Sequence, residues 1–186
     1  MASIEKSLKL LMTAEFGNDP ARALEKNHGE TGWTYKGIYQ TAAPLWEGWA
    51  VIRSTMSKYN NNMALVGQML DGNELLEAAV IAHYRREFWN KLRLDSVVSQ
   101  KIADEIFMFA VNVGISTAVK LAQKLVGVAA DGVIGPATIN ALNSFSPENF
   151  DLMFDQSEIK YYESLVAKNP KFKIFLNGWK NRAVFV

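Results

Sequence analysis

An all-α fold is what this sequence predicts, and three observations predict it. Apolar residues recur at helical spacing in one segment after another, no stretch alternates as a half-buried strand does, and the breaks fall at Gly, Pro or Asn. With 186 residues, 49% of them hydrophobic, the chain is long and apolar enough to bury a core of its own. One short hairpin is the only β structure expected.

The elements follow in order. A first helix over 3–16 carries Ile4, Leu8 and Leu11 at i, i+4 and i+7, with Ser3 as its N-cap and Gly17 as its stop. Residues 17–37 contain Gly17, Pro20, Gly29, Gly32 and Gly37 and read as a loop, with the hairpin over 31–35. Helical pattern returns over 38–59, restarting at Pro44 and placing Trp46 and Trp49 on one face. Asn60-Asn61-Asn62 is a break, and helices over 63–70 and 73–92 follow, the second capped by Asn73. The segment 96–113 is the most apolar. Ile102, Ile106, Phe109 and Val113 form a stripe with Phe107 and Val111 off it, so this helix is expected to be enclosed on most sides. After a helix over 115–126, residues 131–136 make a turn and Pro136 opens the next helix. Helices over 137–144, 147–167 and 171–183 complete the chain.

Composition removes several functions. A formal net charge of +1 gives no reason to expect nucleic acid. Without cysteine there is no disulfide, zinc thiolate or cysteine nucleophile, and two histidines far apart, His28 and His83, make a poor metal centre. No metal or cofactor is expected. The turn over 131–136 lacks the alternating acids and closing glutamate of a calcium loop. No stretch is apolar for long enough to insert in a membrane, and Met1-Ala2-Ser3-Ile4-Glu5-Lys6 does not read as a cleaved signal. From Gln156 to Val186, six Lys or Arg stand against two Glu, a basic end that suits an acidic polymer and equally a solvated helix face. His83 is expected to be half-buried and hydrogen-bonded, and Asn112, inside the apolar helix, to satisfy a nearby backbone group.

Chemistry concentrates near the first helix. Glu15 continues the stripe of Ile4, Leu8 and Leu11 by four residues, which predicts partial burial and a carboxyl that keeps its proton. A general acid for glycosidic cleavage needs that property; the competing expectation is a frayed helix end with Glu15 in solvent. The following loop supplies His28, Glu30, Trp33, Thr34 and Tyr35 among glycines. Glycoside hydrolysis commonly uses a second group across the sugar ring. Glu25 and Glu30 are the carboxylates at hand, and Thr34 is able to hold a water. Trp33 and Tyr35 read either as platforms that stack on sugars or as local core.

Five pieces taken together resemble a known family. They are Glu15-Phe16-Gly17, Gly32-Trp33-Thr34-Tyr35-Lys36-Gly37-Ile38, Ala110-Val111-Asn112-Val113-Gly114, the stretch 121–142 containing Gln123 and Asp131 to Thr138, and Leu176-Asn177-Gly178-Trp179-Lys180-Asn181-Arg182. In that order they are similar to the glycoside hydrolase family 108 muramidases, which include phage endolysins and secretion-associated wall hydrolases. The resemblance implies a lysozyme-like bilobed helical domain. Its catalytic region covers 1–95, and 96–186 resembles a peptidoglycan-binding domain packed into the same fold. It implies that Glu15 is the acid cutting the β-1,4 bond between N-acetylmuramic acid and N-acetylglucosamine, and that Thr34 helps to position water. Phe16 departs from the family's glycine. The family's aspartate between glutamate and threonine has no clear counterpart; His28 lies nearest, flanked by Glu25 and Glu30.

The expected partner is therefore bacterial peptidoglycan. The expected setting is a protein made in the bacterial cytoplasm that acts on the wall in the periplasm, with a holin-dependent route out. A non-catalytic wall-binding or secretion-accessory protein and a lytic transglycosylase are the competing readings.

Overall fold

The computed structural model describes residues 1–26 and 31–186. Among them it is all-α but for a three-stranded sheet of two-residue strands. The first helix, α1 (Ile4–Phe16), buries Ile4, Leu8, Leu11, Met12 and Phe16. It stops as expected: Gly17 takes φ +66° while its N–H bonds the Thr13 carbonyl, a left-handed C-terminus that glycine adopts without a Cβ clash. The last place of the stripe is a correction. Past Leu11 the core side of the helix runs through Met12 and Phe16, and Glu15 is exposed. A phenyl ring gains about 2–3 kcal/mol from leaving water, whereas a carboxylate loses solvation, so the ring takes the inner position.

The chain divides into two compact units, Leu11–Arg85 and Met1–Leu10 with Arg86–Val186. In the first, β1 (Leu24–Glu25), β2 (Thr34–Tyr35) and β3 (Ile38–Tyr39) pair antiparallel in sequence order. The hairpin lies later than expected. Its turn is Lys36-Gly37, both at positive φ (+46° and +79°), the pairing of signs that a two-residue turn between twisted strands requires. The expected helix over 38–59 is shortened to α2 (Gly48–Lys58) because Ile38 and Tyr39 are spent on the sheet. Buried Trp46 and Trp49 meet edge to face at 5.0 Å, their indole N–H groups donating to Ala79 O and Ala43 O. Asn62 and Asn73 cap α3 (Met63–Leu70) and α4 (Glu74–Tyr84), accepting from the backbone N–H of Leu65 and Leu76. Gly67 lets α3 approach the turn Pro20–Arg22 closely, since a Cβ there would lie 2.3 Å from the Pro20 carbonyl oxygen. The expected helix over 73–92 ends early, widening into a π-turn at Arg85–Trp89.

In the second unit, α5 (Gln100–Val113) is capped by Ser99 and buries Ile102, Ala103 and every residue from Glu105 to Ala110. The enclosure expected from its sequence is there, and it takes in a glutamate. After α6 (Ile115–Leu125), α7 (Pro136–Ser144) starts at its proline, and α8 (Pro147–Lys168) supplies Phe150, Phe154 and Tyr162 to the core. The last expected helix is split into a 3₁₀ turn, Pro170–Phe175, and α9 (Leu176–Ala183). Gln100 draws the N-terminus into this unit. Its side chain accepts from Ser3 N–H at 2.7 Å and donates to the Ser3 carbonyl, Ser7 Oγ and Asp104. Asn112 corrects its expectation: it donates not to backbone but to the Tyr162 hydroxyl, at 2.6 Å. No helix among the described residues is long and apolar enough to cross a membrane.

Candidate active site

The small sheet positions most of the candidate residues. Glu25 on β1 stands directly opposite Thr34 on β2, and opposed residues of an antiparallel pair share a face. Glu25 is exposed and Thr34 half-buried. Oγ1 of Thr34 is buried without a hydrogen-bond partner among the described residues, and an orphaned hydroxyl on the face of a carboxylate is suited to holding a polar guest. The sequence marked Glu25 as a nearby carboxylate; the pairing with Thr34 depends on strand register and was not visible there.

Tyr35 is a correction. It is 0% exposed and stacks on Trp46, ring centroids 6.2 Å apart, so it is core and offers no face to a sugar. Burial, then the charges of Glu77 and Asp71, push its hydroxyl well above the usual range, so it stays neutral. Adjacent strand residues point to opposite faces, which is why Thr34 and Tyr35 have different surroundings. Trp33 remains half-buried, its backbone exchanging hydrogen bonds with Gln40. Half-buried His83 sets its ring edge-on to Trp46 and Tyr84. Glu15, in the last turn of α1, is exposed. His28 and Glu30 lie outside the described residues.

In the second unit, the segment expected to contact the wall is a braced loop. The buried Gln123 amide donates to Asp131 Oδ1, Val133 O and Thr138 Oγ1 while its oxygen accepts from Gly132 N–H. The Val133 N–H and the Gln123 amide together hold the Asp131 carboxyl below its ordinary range. Trp179 of the C-terminal motif stacks on Tyr162 at 5.1 Å.

Residues 21–114, half of the chain, match the model of the family described as Glycosyl hydrolase 108. The chain belongs to that family. The glycosyl hydrolase 108 match takes in the whole sheet, with Glu25, Trp33 and Thr34, and begins after Glu15. A second model, Predicted Peptidoglycan domain, matches residues 117–184, which hold the Gln123–Asp131 brace and Trp179. Among solved structures, that of Brucella abortus SagA is similar over 97% of this chain and 92% of that one, at 20% identity and a TM-score of 0.55. That likeness establishes a shared fold. No curated protein sequence matches. The glycosyl hydrolase 108 membership and the peptidoglycan domain make the chain a glycoside hydrolase directed at peptidoglycan.

Proposed function

We propose that this peptidoglycan hydrolase is a muramidase, cleaving the β-1,4 bond between N-acetylmuramic acid and N-acetylglucosamine. In this reading Glu15 is the general acid. Its carboxyl gives a proton to the glycosidic oxygen as the bond from that oxygen to the sugar's anomeric carbon breaks. A water held between Thr34 and a carboxylate adds to the anomeric carbon, and the carboxylate takes the water's proton. The observation that carries the reading is the register of β1 on β2, which sets Glu25 across from Thr34. Glu25 thereby becomes the described candidate for the second carboxylate, alongside His28 and Glu30, which share its loop in sequence. An acid on an exposed residue is reachable by a polymer, and a bound glycan would exclude water from it. Trp33 is the remaining aromatic available to a sugar face.

The test uses purified peptidoglycan with the wild-type chain and the variants Glu15→Gln and Glu25→Gln, the product ends being read by mass spectrometry. Reducing N-acetylmuramic acid ends that disappear with Glu15→Gln support the assignment. Anhydro ends identify a lytic transglycosylase, and binding without release identifies an accessory protein. Full turnover by Glu15→Gln removes Glu15 from the mechanism. The same reading makes the protein an endolysin, produced in the bacterial cytoplasm and passed to the periplasmic wall by a holin-dependent route.

A further inference from the structure

Helices α5 and α8 bring together three carboxylates that the hydrolytic reading does not use. Glu105 comes from α5; Asp151 and Asp155 are one turn apart on α8; and one carboxylate oxygen of each lies within 4.8 Å of the others. Glu105 is 1% exposed, on a helix whose residues from Glu105 to Ala110 are all buried. Among the described residues its Oε1 has no hydrogen-bond partner, and Oδ1 of Asp155 is likewise buried and without one. Folded proteins rarely leave such atoms unsatisfied, and an ion is one of the standard reasons for finding them so.

The local charges point the same way. Glu158, one turn beyond Asp155, is also buried, so four carboxyls crowd this face of α8 and α5. Two cations attend them: Lys101, whose Nζ lies 2.9 Å from Asp151 Oδ2, and Arg182, whose charge acts on Glu158. Two negative charges remain. They are balanced either by protons or by one divalent cation.

We propose that Glu105, Asp151 and Asp155 form a site for a hard divalent cation, calcium by preference, that ties α5 to α8. A donor set made only of carboxylate oxygens selects Ca²⁺, Mg²⁺ or Mn²⁺ over zinc, which takes nitrogen and sulfur readily. Calcium accepts oxygens at about 2.3–2.6 Å with flexible geometry, so that two of its ligands stand up to about 5 Å apart; magnesium demands about 2.0–2.1 Å and strict octahedral angles. Oxygens within 4.8 Å of one another are in reach of one such ion, and a site built from the side chains of two packed helices is better served by the ion with flexible geometry. Lys101 engages one oxygen of Asp151 and leaves the other for the cation, and the apolar surroundings of Glu105 strengthen its attraction for a counter-charge. The expectation of no metal rested on cysteine, histidine and the 131–136 turn, and carboxylates from two helices about 50 positions apart carry no local signal of such a site.

The full-length protein, stripped with EDTA and dialysed, is titrated with CaCl₂, MgCl₂ and MnCl₂ by calorimetry, with thermal melts alongside. One calcium per chain, a raised melting temperature, and a loss of at least about tenfold in affinity in Glu105→Gln and Asp155→Asn are expected. Circular dichroism establishes that each variant is folded. Should Glu105→Gln not fold, Asp155→Asn, at a half-buried position, carries the test alone. Absence of binding by any of the three ions at millimolar concentration overturns the proposal, as does calcium affinity unchanged in a folded variant. Glu15→Gln is expected to bind calcium normally, which keeps this site's failure separate from that of the hydrolytic reading.

Discussion

The Tyr84 hydroxyl donates to the Lys36 carbonyl oxygen at 2.9 Å, and it fills the space where a Cβ on Gly37 would fall, 2.5 Å away. Tyr84 and Glu77 are two turns apart on α4, and Glu77 pairs with the Lys36 ammonium. One face of one helix thus grips both turn residues of the hairpin that carries Thr34. Lys36 sits at φ +46°, a conformation that is costly for a residue with a Cβ. The two contacts from α4 offset that cost and hold the turn that fixes the register of β2 on β3.

Gly37→Ala is therefore expected to be strongly destabilising. It adds left-handed strain of about 1–2 kcal/mol and displaces a hydroxyl whose buried hydrogen bond contributes about another 1 kcal/mol. Tyr84→Phe should lose only the second part. Urea unfolding of the two variants checks the ordering; a Gly37→Ala protein as stable as wild type means the turn is not held as described.

Thr34→Val separates structure from chemistry three residues before Gly37. Valine has nearly the shape of threonine, and the hydroxyl it removes has no partner among the described residues. Stability should hold or rise by up to about 1 kcal/mol, because a buried unsatisfied group is removed. Peptidoglycan turnover should fall by about tenfold or more if Thr34 holds the water. Parallel melts and turbidity assays read both; unchanged turnover takes Thr34 out of the site.

In the peptidoglycan domain the sensitive residue is Gln123. Its amide nitrogen shares two hydrogens among Asp131, Val133 and Thr138 while its oxygen accepts from Gly132 N–H, and the residue is 1% exposed. Gln123→Leu keeps the bulk and orphans those partners, so a loss of about 2–4 kcal/mol is expected. Wall binding should weaken with it in pull-down on purified peptidoglycan. Retained stability means the 131–136 loop holds itself.

What the sequence disclosed was local. Asn73 as a cap, Gly17 as a stop and Pro136 as a first residue are signals read within four positions, and each stands where expected. The enclosure of α5 was legible for the same reason, from periodicity alone. The Gln100 clasp on Ser3 joins residues 97 apart, and nothing in either segment announces the other. Glu15 was misplaced because the spacing past Leu11 allows two continuations. Only the competition between Phe16 and a carboxylate for the buried side decides between them. Tyr35 was left open between a sugar platform and local core because the turn was placed too early; moving it to Lys36-Gly37 sets Tyr35 in the core and Thr34 opposite Glu25.

Glu158 gives the molecule a pH dependence opposite to that of a salt-bridged acid. Burial, reinforced by Asp155 and opposed by Arg182, raises its carboxyl from 4.5 to about 9. Between those values the folded chain holds a proton that the unfolded chain has released. The unfolded state therefore binds fewer protons, and stability falls as pH rises, by at most about 1.4 kcal/mol per pH unit for one such group. Below pH 4.5 this contribution is fully present; it is lost as pH climbs through 9. Glu105, raised by burial to about 10, acts in the same direction. In EDTA, urea unfolding from pH 5 to pH 8 should show the wild type weakening steadily. Glu158→Gln, neutral throughout, should weaken less steeply, by the equivalent of one proton. Equal slopes mean that Arg182 keeps Glu158 ionised in the folded chain, and that the second uncompensated charge near α8 lies elsewhere.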